Sequence, residues 1–237
     1  LGSVPVKLTV CGLRGGHSGL NIIENRGNAI KLATRTLLAA LEQGIELDLV
    51  AIDGGSKHNA IPRECFAVCR VGAGELERLR TVAAACLADF REEFGASDPE
   101  LEVEVEALAD DVALQEVLNV HARDRLLRLL DGLPHGVLAM SREVPGLVET
   151  SNNLAVVATE GSQATITVSY RSSVMPALYA VRRQVDSIFL QAGAEVHTKD
   201  AYPGWKPNPS SPIVQTTCRV YERLFGAAPG LNAIHAG

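Results

Sequence analysis

The chain has 237 residues, of which 46% are hydrophobic and 21% charged, proportions of a globular protein rather than a disordered one. Twenty-two basic against 28 acidic side chains leave a net charge of −6, with no basic block to hold nucleic acid or an anionic membrane. No apolar run approaches the roughly 18–20 residues needed to span a bilayer.

The opening Leu1-Gly-Ser-Val-Pro-Val has neither an initiator methionine nor a signal pattern, and reads as a chain entered in mid-sequence. Val4, Val6, Leu8 and Val10 alternate with Pro5, Lys7 and Thr9, which predicts a half-buried strand. A glycine-rich loop, Gly12 to Gly19, leads to a helix with Ile30, Ala33, Leu37 and Leu41 on one face and Gly44 as its stop. Leu47 to Asp53 and Arg63 to Val71 read as strands, separated by a break at Gly54-Gly55. Leu76, Leu79, Ala83, Cys86 and Phe90 form a helical stripe, and Leu101, Val103 and Val105 alternate with three glutamates in a strand with one wet face.

After a helix predicted from about Val112 to Leu130, the order returns. Strands are expected at Leu154–Thr159 and Ala164–Arg171, then a helix stopped at Gly193, then a last strand near Glu195–Ala201. Strand, strand, helix, strand thus occurs twice, near 47–106 and near 154–201. The expected fold class is α+β, with an antiparallel sheet and helices covering one face. From Tyr202 to Pro212 four prolines in eleven residues mark a crossing segment, followed by a helix from about Ile213 to Phe225. The final Leu231–Gly237 reads as the start of an apolar strand inside a second domain.

The five cysteines, at 11, 65, 69, 86 and 218, are odd in number and scattered, unlike a disulfide framework. Cys65 and Cys69 lie in an apolar strand with no histidine nearby to complete a zinc site, so they read as small buried hydrophobes in a reducing cytoplasm.

Three loops or strand ends could carry chemistry. In Gly15-Gly-His17-Ser-Gly19, flanking glycines permit unusual dihedrals and close ligand approach, and His17 could donate to an oxyanion, act as acid or base, or bind a metal. A glycine-rich turn with a solvated histidine is the plainer reading. The loop fits neither phosphate-cradling pattern, and Ser18 beside His17 does not make a nucleophile pair. In Gly54 to Pro62, Asn59 falls at a strand mouth, where its amide suits a carboxylate or a peptide group; a turn asparagine is the alternative. Arg171 closes the polar face Thr165, Thr167, Ser169, Arg171 and could grip a carboxylate with its planar fork, or form a surface salt bridge. His121, His135 and His197 read as helix-surface, turn and strand-surface residues. No set of His, Asp and Glu at metal-ligand spacing is found in the sequence.

Taken in order, Gly-Leu-Arg-Gly-Gly-His17-Ser-Gly, His58-Asn59-Ala-Ile-Pro-Arg-Glu, Val148-Glu-Thr-Ser-Asn-Asn153-Leu, Tyr170-Arg171-Ser-Ser, Ala201-Tyr-Pro-Gly-Trp205 and Ile234-His-Ala-Gly237 resemble the aminoacyl-histidine dipeptidases. These belong to a wider group of di-zinc metallopeptidases with carboxypeptidases and aminoacylases. The resemblance covers essentially the whole chain. It implies that residues 1–201 are a lid inserted into a zinc catalytic domain, and that 202–237 begin the C-terminal part of an α/β catalytic domain.

It further implies that His17 polarises the scissile carbonyl, that Asn59 and Arg171 hold a dipeptide substrate, and that Gly237 supplies a backbone contact beside the metals. Two zinc ions are implied for the complete enzyme and none for this chain alone, which is therefore expected to be inactive. Ser172-Ser173 departs from the apolar residue that many relatives carry after the arginine. A cytoplasmic location and a homodimer through the lid fit the same resemblance. The competing expectation is a stand-alone α+β interaction or small-molecule regulatory module, and a related hydrolase of amides or N-acyl amino acids is a third.

Overall fold

The computed structural model of the chain describes residues 3–109, 116–204 and 208–230. Strand β1 (Ser3–Cys11) is followed by a two-residue strand β2 (Gly16–His17), a single 3-10 turn (Ile22–Glu24) and helix α1 (Ala29–Glu42). Then come β3 (Leu47–Gly54), the short β4 (Ala60–Ile61), β5 (Cys65–Gly72), α2 (Leu76–Phe94) and β6 (Glu102–Ala107). The second half comprises α3 (Val120–Gly132), β7 (Gly136–Met140), β8 (Val148–Glu160), β9 (Gln163–Ser172), α4 (Met175–Gln191) and α5 (Pro212–Phe225).

Seven strands form one sheet in the order β6-β1-β5-β3-β8, with β7 and β9 both paired to β8. All its pairings are antiparallel. Helix α1 packs on β1, β3 and β5 and lies between α2 and α3, while α3 touches α4 and α4 lies on β8 and β9. The four helices thus cover one face as a single layer, the α+β class expected from the two-fold recurrence of elements.

The α1 stripe is why this layer holds. Ile30, Ala33, Leu37 and Ala40 are fully buried against Val6, Leu8, Leu49 and Ile52 of the sheet, and Leu127 and Leu130 of α3 join the same core. Asn28 caps α1, its Oδ1 accepting from Ile30 N at 3.0 Å and Lys31 N at 3.3 Å. Lys31 then reaches across to α3, donating to the carbonyls of Leu130 and Leu133 at 3.0 Å and to that of Asp131.

The two hairpins at the heart of the sheet, β3–β5 and β8–β9, each carry a single-residue bulge, at Val50 and at Ala155. They meet at a short seam. One backbone pair, Gly54 with Val157, is extended by the Thr159 side chain, whose Oγ1 accepts from Ile52 N and donates to Ile52 O, both at 3.0 Å.

Four sequence expectations need correction. The last strand, Glu195–Ala201, does not form: only Val196 is half-buried between exposed neighbours, and 197–201 are all exposed, so the segment has no buried face to hold it in a ladder. The second unit therefore keeps strand, strand and helix without a closing strand. The helix placed at 112–130 begins at Val120, capped by Asn119, and the earlier part of that prediction falls partly outside the described residues. Strand β7 was not expected, and β8 begins at Val148 rather than Leu154 because its first half buries Thr150, Ser151, Asn152 and Asn153 as polar residues.

Among the described residues no helix is long and apolar enough to cross a membrane. Cys65 and Cys69 are buried free thiols whose pKa values burial drives upward, as befits core residues.

Candidate functional site

The glycine-rich loop departs from the sheet after β1 and is fixed at both ends by Asp98. This fully buried carboxylate accepts from Arg14 N at 2.8 Å and from Gly27 N at 2.7 Å, drawing the two ends of the loop together. Within it, Gly15 and Gly16 take φ of 59° and 130°. A Cβ on Gly16 would come within 2.7 Å of Arg26 and Asn21, so the position admits only glycine. Arg26 donates to Gly15 O and pairs with Glu24 at 2.6 Å, while hydrogen bonds from Asn21 and Arg26 hold the Glu24 carboxyl below its usual range.

These contacts present His17. Its backbone N–H donates to Asn21 Oδ1 at 2.9 Å, and its ring Nδ1 accepts from Gly19 N at 3.1 Å and Leu20 N at 3.2 Å. A nitrogen that accepts carries no proton, so this hydrogen-bond pattern assigns the ring hydrogen to Nε2. His17 is thereby prepared as a neutral N–H donor on its free side, with its other nitrogen committed to the backbone.

Asn59 lies directly beside it. β2 pairs with β4, placing His17 opposite Ala60 and Gly16 opposite Ile61, and Ser18 N donates to Asn59 O at 2.9 Å. The loop carrying Asn59 leaves β3 through Gly55, whose φ is 71° and whose Cβ, if present, would lie 1.9 Å from Ala155 O. That close approach presses the loop onto the bulge of β8. Below it, Ile22, Ile61 and Val148 form a second small core, one residue from each of the three elements that meet here.

Arg171 reaches the same side of the sheet through register. It stands opposite Ser151 on the β8–β9 ladder, and Asn153, two residues along β8, faces the same way and donates from Nδ2 to Ala60 O at 2.8 Å. Burial lowers the pKa of the half-buried Arg171 from its usual value. The structure thus joins His17 and Asn59 through backbone contacts and sets Arg171 one rung beyond the residue that touches their loop. Gly237 and His235 lie outside the described residues.

A metal does not fit these residues. His17 Nδ1 is occupied by two N–H donors and Nε2 bears the proton. Among the described residues no group of three or more His, Cys, Asp or Glu side chains is placed to hold an ion.

Sequence reasoning missed three residues that build this site. Asp98 and Asn28 sit outside any motif, Asn153 stands in a family word to which no role was attached, and the roles of all three come from contacts far along the chain. Asn28 Nδ2 donates to Leu154 O at 2.8 Å and contacts Nδ1 of His135 at 3.1 Å. That ring, read from sequence as a turn histidine, is the one whose pKa burial and the charge of Lys31 lower most, to about 4. His121 and His197 are exposed, though His197 sits on no strand.

Comparison with known proteins finds relatives for this chain. Residues 8–112 match the peptidase dimerisation domain. The chain is 36% identical over 231 residues to the cytosol non-specific dipeptidase of Escherichia coli K12, a match that takes in 98% of this chain and 47% of that protein. The structure superposes on the aminoacylhistidine dipeptidase of Vibrio alginolyticus with a TM-score of 0.92 and 36% identity, over 100% of this chain and 47% of the other. The chain therefore spans about half the length of the relatives it matches. The chain is thus similar over nearly its whole length to about half of each of these two dipeptidases, and within it residues 8–112 match the peptidase dimerisation domain.

Proposed function

We propose that residues 1–201 form the lid of a cytoplasmic zinc dipeptidase acting on Xaa-His dipeptides, and that 202–237 lead into its catalytic domain. The observation that carries this reading is the fixed tautomer of His17 beside Asn59. A neutral Nε2–H held in place before reaction donates to the scissile carbonyl oxygen most strongly when negative charge develops there, and costs no reorganisation at that moment. Asn59 holds the peptide or carboxylate group with its amide. Arg171 grips the terminal carboxylate of the dipeptide through its fork, and the Gly237 backbone completes the contact.

In the complete enzyme two zinc ions would supply an activated water. Among the described residues no group of three or more His, Cys, Asp or Glu side chains is placed to hold them. Helix α5 buries none of its residues and leaves Ile213, Leu224 and Phe225 exposed, which supports a second domain starting near 202. The dimerisation-domain match supports a homodimer through the lid, whose strands β6, β7 and β9 are each paired to one neighbour only.

The test is His17→Ala in the complete enzyme. Turnover of a β-alanyl-histidine substrate is expected to fall about 100–1000-fold, the usual cost of one oxyanion donor. Bound metal, measured by atomic absorption, is expected to stay unchanged. Loss of metal would make His17 a ligand and end this reading. A panel of dipeptides differing in the second residue tests the histidine preference.

A further inference from the structure

We propose that Asn153 is the positioning residue that sets His17 and Asn59 at a fixed spacing from Arg171. The proposal rests on the reading of His17 as the carbonyl-polarising group. Strand β4 is only two residues long and has a neighbour on one edge, β2. On that edge Asn59 O is taken by Ser18 N; successive carbonyls along a strand point in opposite directions, so Ala60 O faces away from β2. The Asn153 amide meets it there, at 2.8 Å, and serves β4 in place of a missing strand.

Asn153 is 1% exposed, so water does not replace this bond. The donor comes from β8, in the half of the chain outside the matched dimerisation domain, whereas β2 and β4 lie within it. On β8 the side chain of Asn153 shares its face with Ser151, the rung partner of Arg171. One amide therefore connects β4, the pairing partner of the strand that bears the imidazole, to the hairpin that bears the guanidinium. The Gly55–Ala155 approach and the Ile22, Ile61, Val148 cluster press the same surfaces together without fixing the register of β4.

A dipeptide spans the gap between a carbonyl-polarising group and a carboxylate grip only if that gap is held constant. A slack β4 would leave ground-state binding to Arg171 intact while misplacing the donor in the transition state. The experiment is steady-state kinetics of the complete enzyme with Asn153→Ala, His17→Ala and the double variant, alongside thermal melts.

Asn153→Ala is expected to lower kcat about 10–100-fold, the scale of a misplaced catalytic group, with KM changed by less than about three-fold. In the His17→Ala background the same substitution is expected to have almost no further effect on kcat, because the donor it positions is gone. A lowered Tm with unchanged kcat well below the melt, or losses that multiply in the double variant, would overturn the proposal and leave Asn153 structural. Should Asn153→Ala fail to fold, Asn153→Asp keeps the volume but offers Ala60 O no N–H at neutral pH. It is expected to show the same kcat loss, and full activity in it would overturn the proposal. If His17→Ala itself leaves kcat unmoved, the reading of function fails and this proposal with it. If His17→Ala is crippled and Asn153→Ala is normal, the proposal alone fails.

Discussion

Asp98 is a single carboxylate doing two jobs, closing the base of the His17 loop and burying two backbone donors that nothing else satisfies. Asp98→Ala orphans both, at a cost of about 3 kcal/mol by the usual penalty for buried unmet donors. Urea unfolding of the chain checks it, and a loss below about 1 kcal/mol would contradict it.

His135 carries a second prediction. Asn28 fixes its own amide orientation by accepting two helix N–H groups on Oδ1, so its Nδ2 can only donate, and His135 Nδ1 must accept unprotonated. The unfolded chain takes up this proton near pH 6.5 and the folded chain only near pH 4. Between those values the unfolded state holds more protons. Stability is therefore full above pH 6.5 and declines as pH falls through 4, by at most about 3 kcal/mol. His135→Gln, which can accept from Asn28 without titrating, is expected to flatten this slope in urea titrations at pH 7 and pH 4.5.

At this scale His17, Asn59 and Arg171 were legible because they stand in glycine-broken loops or at the end of a polar face. Asn153, Asn28 and Asp98 were not, since their partners lie 71 to 126 positions away in the chain.

Elements followed periodicity wherever one face met a core. The α1 and α2 stripes, the alternation of β1 and the stops at Gly44 and Gly193 appear in the structure as expected. Periodicity failed where the decisive partner was polar or missing. Thr150 to Asn153 do not look like the interior of a strand, yet they are buried because side-chain amides take over main-chain bonding from Pro134 and Ala60. Residues 195–201 bury no continuous face, since beyond Val196 they are exposed.

The β3–β8 seam is the element-scale weak point, since one backbone pair and Thr159 make it. Thr159→Val keeps the shape but strands the Ile52 N–H and carbonyl. A loss of about 1–2 kcal/mol is expected, with faster amide exchange at Ile52 than in the middle of β5. Unchanged exchange at Ile52 would show that the backbone pair suffices.

For the whole molecule, two similar hairpin-and-helix units share one sheet and one helical layer, and only the first carries a glycine-rich histidine loop among the described residues. The second supplies Arg171 and the amide that steadies the first. The doubling was legible from the repeated order of elements. The joining of its halves was not, because it depends on the seam, the Lys31 bridge to α3 and the Gly55 approach, none of which leaves a periodic trace. Since no group of three or more His, Cys, Asp or Glu side chains among the described residues is placed to hold an ion, the 237-residue chain with added zinc is expected to hydrolyse neither glycyl-histidine nor β-alanyl-histidine.

The most direct measurement compares, in the complete enzyme with and without His17→Ala, the affinity for a phosphinic dipeptide that mimics the tetrahedral intermediate with that for the dipeptide itself. A donor tuned to the oxyanion predicts that the mimic loses about 100–1000-fold in affinity while the dipeptide changes by less than about three-fold. Equal losses for both would contradict it.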